Sequence, residues 1–250
     1  MGGDKMIRNI AIITWRELTA YLTQPVAYVF IIAFTVLASG LTFYAGGFLA
    51  RGSAELSVFF QFHPWLYLVL MPAIGMRLWA EEYRGGTIEL LLTLPLSTSH
   101  AVIAKFLAAW IFAALALGLT FPIWLTVSFL GQPDHGVIAS GYLGSWLLAG
   151  GFLAVSAAAS AATRNQVIAF IFGITLCFLL LAGGADITQT LVRSWADPAI
   201  AEGLANINAV ARFRSFVDGL IDLRAVIFFI TLIASGLFAS AALVRLRTGS

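Results

Sequence analysis

The chain has 250 residues, 60% of them hydrophobic and 10% charged, with a formal net charge of +2 and a mean hydropathy of +0.95. A soluble domain carries roughly 25% charged residues, so this composition excludes a single water-bathed fold and makes lipid the solvent for most of the surface. Basic residues fall singly rather than in runs, which together with the small net charge excludes a nucleic-acid-binding footprint.

The first element predicted is an amphipathic helix over Asp4–Leu22. At 100° per residue, Lys5, Arg8, Asn9, Arg16 and Thr19 share one arc, and Met6, Ile7, Ile10, Leu18, Tyr21 and Leu22 cover the other. A basic face opposite an apolar one describes a helix lying in the membrane interface. Glu17 falls off the polar arc, and a pairing partner is expected for it. The stretch has no apolar core followed by a small-residue cleavage site, so no cleavable signal is read. Thr23–Gln24–Pro25 ends the helix and opens the first span.

A membrane-spanning helix needs about 20 mainly apolar residues. Six runs meet that need, at about 26–48, 60–79, 101–130, 142–162, 167–184 and 225–244. With both termini placed in the cytoplasm, the inner segments hold Lys5, Arg8, Arg16, Arg77, Arg84, Lys105, Arg164, Arg245 and Arg247. The outer ones hold Arg51, Arg193, Arg212, Arg214 and Arg224. Nine against five follows the positive-inside bias. Trp65, Trp79, Trp124 and Trp146 are expected near span edges, where indole rings favour the interface. The expected fold is therefore all-α: one polytopic membrane domain over 1–250, with an interfacial helix at 1–24, a cytoplasmic loop at 80–100 and an extracytoplasmic loop at 185–224.

The loop between spans two and three, "WAEEYRGGTIELLLTLPLSTSH" (Trp79–His100), is longer than a connection requires. Gly85 and Gly86 permit a turn, Thr87 can start a short helix, and Pro95 ends it. Ile88, Leu91 and Leu92 make one apolar face at i, i+3, i+4 spacing. The acidic flanks Glu81, Glu82 and Glu89 disfavour an anionic leaflet. A protein partner with a basic rim and an apolar groove fits the segment better.

Span four, "GSWLLAGGFLAVSAAASAAT", repeats small residues at Gly150, Ala154, Ala158 and Ala162, a ridge that lets helix backbones approach closely. The sequence leaves open whether the partner helix is in the same subunit. Two short helices are expected before the last span, at about Pro198–Ile207 and Ala209–Leu220. Cys177 lies in an apolar run and reads as a buried small hydrophobe. His63 reads as a polar residue at the outer membrane edge, with a metal or headgroup ligand as the alternative.

No phosphate-cradling Walker motif, His-Glu-x-x-His zinc motif or Gly-x-Ser-x-Gly nucleophile elbow is present. Charges within the spans are scarce, with Arg77, Lys105 and Arg164 near cytoplasmic ends. An ion-driven carrier needs ionisable groups along a path, and no energy source is visible in this chain.

The stretch "EEYRGGTIELLLTLPLSTSHAVIAKFLAA" (Glu81–Ala109) resembles the membrane subunits of ABC-2-type transporters, in particular the gliding-motility GldF-like branch. Glu81, Glu82, Gly86, Thr87, Glu89, Leu90, Leu91, Pro95 and Lys105 match that pattern, and Ala104 stands where a glycine is expected. The tail "RFRSFVDGLIDLRAVIFF" (Arg212–Phe229) is similar to the same branch at Phe216, Gly219, Asp222 and Leu223.

The resemblance implies an export permease that is not itself an enzyme. Two permease copies, identical or paralogous, would pair with two ATPase subunits holding ATP and Mg, and this chain would bind no cofactor. A coupling helix at Glu81, Glu82, Arg84, Gly86, Thr87, Ile88, Glu89 and Leu91 would dock on the ATPase. Arg8, Trp15, Arg16 and Glu17 would belong to an elbow helix. Phe216, Asp218, Gly219 and Asp222 would belong to an extracytoplasmic cap. The expected location is a bacterial inner membrane. The alternative reading is a force-transmitting subunit that drives an extracytoplasmic partner protein without passing a substrate.

Overall fold

The computed structural model describes residues 2–48, 55–86, 97–183, 194 and 208–248. Among the described residues the regular structure is helical: α1 (Gly2–Thr23), α2 (Pro25–Gly40), α3 (Ser57–Gln61), α4 (His63–Gly75), α5 (Arg77–Gly85), α6 (Thr98–Gly118), α7 (Phe121–Leu130), α8 (His135–Ala161), α9 (Gln166–Ala182), α10 (Ala209–Val217) and α11 (Leu223–Thr248). A π-helical turn, Leu41–Ala45, extends α2.

Helix starts follow side-chain chemistry. Pro25 opens α2, where its missing N–H costs nothing. Asp134, Asn165 and Asn208 each accept from two backbone N–H groups at the starts of α8, α9 and α10. A helix stands at the N-terminal stretch where one is expected, as α1, and the break at Thr23–Pro25 falls where expected.

Among the described residues, four stretches are long and apolar enough to cross a membrane: Pro25–Ala45, Thr98–Leu130, His135–Ala161 and Leu223–Arg247. They coincide with expected spans one, three, four and six. The second expected span is divided among α3, α4 and α5, and Pro64 stands in the first turn of α4, where its missing N–H is tolerated. The fifth, Gln166–Ala182, is a shorter apolar helix. The expected helix Ala209–Leu220 is α10; its neighbour at Pro198–Ile207 lies outside the described residues.

α8 is the central post, packing against α4, α5, α6, α9, α10 and α11. Its small residues explain this. A Cβ on Gly236 of α11 would stand 2.7 Å from the backbone carbon of Ala154, so the two helices meet nearly backbone to backbone. The small-residue ridge at Gly150 and Ala154 is thus used inside the subunit. Ser160 of α8 mends the break in the second run. Its hydroxyl accepts from the N–H groups of Trp79 (3.1 Å) and Ala80 (3.0 Å) and donates to the Met76 carbonyl (2.8 Å), filling the ladder where α4 gives way to α5.

Two expectations about single residues change. Trp79 is 1% exposed and Trp146 half-buried; Trp146 stacks on Trp110 at 4.2 Å between ring centroids, so these indoles serve internal packing. His63 is fully buried rather than at a membrane edge. Its Nδ1 lies 2.5 Å from Ser145 Oγ, inside a group of rings from Phe34, Phe59, Phe60 and Tyr67. Cys177 is buried, as its apolar run implies.

Candidate functional site

The ends of α5 and α6 that flank residues 87–96 meet in a group of charges from three helices. On α6, Ala101, Val102, Ala104, Lys105, Ala108, Ala109 and Phe112 form one buried stripe. Lys105 is the only charged member of that stripe, and its side chain is 6% exposed. A buried ammonium needs anionic partners, and Lys105 has two. Its Nζ donates to Glu17 Oε2 of α1 at 3.1 Å and to Glu82 Oε1 of α5 at 2.7 Å. The same nitrogen stands 6.0 Å from the Trp79 ring centroid, at the edge of cation–π range.

Around this core the charges stay balanced. Arg16 donates to Glu17 Oε1 at 2.8 Å. Arg77 makes a forked contact with Glu81 at 2.9 and 3.3 Å, one turn apart on α5. Tyr21 closes the apolar side by stacking on Phe112 at 5.8 Å. Burial, with Glu17 beside it, pushes the Tyr21 phenol up, so it remains neutral here. Thr14 Oγ1 donates to the Ala104 carbonyl at 3.3 Å. That approach explains the small residue at 104: a bulky side chain would hold α1 away from α6.

The sequence-derived candidates divide accordingly. Glu17 and Glu82 come together on Lys105, Glu81 is turned to Arg77, and Arg84 is exposed. Gly86 takes φ +68°, the left-handed turn that ends α5. Thr87, Ile88, Glu89 and Leu91 lie outside the described residues. On α1, Arg8 and Trp15 point outward; Trp15 is 68% exposed, with Ile7 and Ile12 also open. α1 therefore packs through Ile13, Thr14 and Leu18 and leaves a second apolar face uncovered.

The other candidates stand at the far end of α8. Phe216 is fully buried between α10 and α8, seated against Gly144. Asp218 is exposed, and Gly219 takes φ +82° to turn the chain. Asp222 accepts from the Arg224 N–H at 2.9 Å at the start of α11.

Sequence reasoning missed a second set of ties at the loop roots. Arg245 of α11 donates to Ser99 Oγ at 2.7 Å. Arg247 donates to the Ala162 carbonyl and lies over the Tyr83 ring at 5.3 Å. Two arginines in a last helical turn read in sequence only as an inner-side charge.

Lys105 thus ties three helices together through its two carboxylates, beside the ends of α5 and α6 that flank residues 87–96. Residues 17–185, more than half of the chain, match the family model described as ABC-2 family transporter protein. The chain belongs to the ABC-2 transporter family. The match begins at Glu17 and takes in Glu82 and Lys105, so the Lys105 bridge lies within the family domain. No curated protein matches the chain. As an ABC-2 protein it is a multi-pass permease subunit of an ABC transporter, and the family implies an ABC ATPase as partner.

Proposed function

We propose that this ABC-2 permease is an exporter of the GldF-like kind, with both termini in the cytoplasm. A separate ATPase, carrying ATP and Mg, drives it through the loop at 80–100. The observation behind this reading is the bridge from Lys105 to Glu17 and Glu82. It joins α1 and both roots of the loop into one body. ATP binding closes a pair of ATPase subunits, which biases one arrangement of the loop. The bridge passes that displacement to α1, α5 and α6 together, and two permease copies shift between two packings.

In this scheme Glu89, Ile88 and Leu91 meet the ATPase, whereas Glu82 acts inside the permease. This refines the expectation that all three acidic residues engage the partner. The support is the short distance from Glu82 to Lys105.

The deciding test is co-purification from native membrane. The wild-type permease is expected to bring down an ATPase chain, and Leu91→Asp to lose it along with stimulated ATP hydrolysis. Full assembly and stimulation in Leu91→Asp would remove the loop from the mechanism.

A further inference from the structure

The joint between α4 and α5 is made by a residue of another helix. Ser160 of α8 is fully buried, and a serine hydroxyl has one proton to donate and two lone pairs. All three are used on backbone. The Met76 carbonyl receives the proton, and the N–H groups of Trp79 and Ala80 point at the oxygen. Met76 and Ala80 are four residues apart, the spacing of a helical hydrogen bond. The hydroxyl therefore contacts both members of a pair that an unbroken helix would bond to each other. A side chain inserted in this way bends a helix.

The two sides of the joint are held by different neighbours. On the α4 side, a Cβ on Gly75 would run into the Ser156 Cβ, so the last turn of α4 lies directly on α8. Ser156 and Ser160 are one turn apart on α8 and share a face, which brings the Ser160 hydroxyl to the next turn of the chain. Pro72, inside α4, has no N–H for the Leu68 carbonyl, so the ladder is already one rung short there. On the α5 side, Glu82 reaches Lys105 of α6 at 2.7 Å. From Met76 to Glu82 the arm is about 9 Å along a helix. A change of bend of about 20°, the size such an insertion produces, carries Glu82 sideways by about 3 Å over that arm. That displacement is as long as the hydrogen bond itself, so the seat of Glu82 on Lys105 depends on the joint.

We propose that Ser160 is a positioning residue for the Lys105 bridge, its hydroxyl holding α5 at the angle that seats Glu82. Without the hydroxyl, the Ala80 N–H can bond the Met76 carbonyl and the Trp79 N–H the Gly75 carbonyl. α5 then runs straight on from α4, and Glu82 leaves Lys105 while Glu17 stays. The joint is thus a hinge with two states, one closed by a side chain and one by backbone, and neither strands a buried N–H. The inference concerns the fold and the bridge alone and does not rest on export or ATPase docking.

The test is a double-mutant cycle on the thermal midpoint of the detergent-purified chain, each variant first checked for a monodisperse elution profile. The fall caused by Lys105→Met is measured in the wild-type, Ser160→Ala and Ser160→Thr backgrounds. It is expected to be clearly smaller in Ser160→Ala, where Glu82 has already left. In Ser160→Thr, which keeps the hydroxyl, it is expected to have its wild-type size. Each background is its own reference, so whatever the change at 160 costs by itself drops out. Asn208→Ala, which removes the cap of α10, should lower the midpoint equally in all three. If Ser160→Ala yields no monodisperse protein, Ser160→Cys takes its place with the same expectation, because a thiol is a weak donor and acceptor.

An equal fall from Lys105→Met in wild type and in Ser160→Ala would overturn the proposal and leave Ser160 a packing residue. A fall reduced in Ser160→Thr as much as in Ser160→Ala would overturn it too, because the hydroxyl would then not be the cause. The cycle uses no ATPase. Retention of the ATPase by Leu91→Asp would sink the reading of the loop and leave the hinge standing, and additive changes at Ser160 and Lys105 would do the reverse.

Discussion

At Lys105, the strength of an ion pair depends on what remains when one partner is taken away. Its two carboxylates are 17% and 20% exposed, so each keeps some contact with water. Lys105→Met removes the cation that both share, while Glu17 keeps Arg16. Breaking a buried pair from one side costs roughly 3–5 kcal/mol, and the low end, about 3 kcal/mol, is expected here. The measurement is the thermal midpoint in detergent, which should fall clearly. Adding Glu82→Gln to Lys105→Met should recover part of the loss, because one stranded charge is removed. An unchanged midpoint in Lys105→Met would mean that solvent already screens the node. Glu17 lying off its polar arc was legible as an unpaired charge seeking a partner. Its partner was not legible: Lys105 is 88 positions away, and only the packing of α1 on α6 brings the two together. Ser160 was less legible still. In "SAAASAAT" it reads as one more small residue, yet its hydroxyl serves three backbone groups where α4 ends.

Among elements, hydropathy found the unbroken spans because lipid-facing helices must be apolar along their length. It found the amphipathic α1 for the complementary reason, a helix with two solvents. It did not foresee that the second run divides, since a broken helix packed against a neighbour can be as apolar as a straight one. The small-residue ridge was readable, but its partner came only from the contact of Gly236 with Ala154. That contact gives a prediction whose sign separates two effects. In an isolated helix Gly236→Ala is favourable by up to about 1 kcal/mol. Here the added methyl meets backbone at 2.7 Å, and overpacking costs about 1–3 kcal/mol. A lowered thermal midpoint and poorer folded yield are expected. A rise would show that α8 and α11 can separate freely. The window of α11 is 17% buried and that of α2 28%, against 72% for α8. The outer pair therefore present their apolar sides to whatever surrounds the subunit, while α8 presents almost none.

Over the whole molecule, the roots of one loop are held by the two extremes of the chain. α1 reaches Ala104 and Lys105, which in turn holds Glu82, and the last turn of α11 reaches Ser99, Tyr83 and Ala162. Parity follows from this. On the proposal that both termini share one membrane face, the chain crosses the membrane an even number of times. The loop roots at Glu82 and Ser99 stand with the two termini, so on that proposal the interrupted Ser57–Gly85 returns across the membrane after Pro25–Ala45 has left it. Reporter tags at the two termini should be protected from protease on the same side of the membrane. A third tag in the 131–134 turn then decides the count. It is expected opposite the termini, because it follows three crossings; on their side it would follow two, and Ser57–Gly85 would not cross.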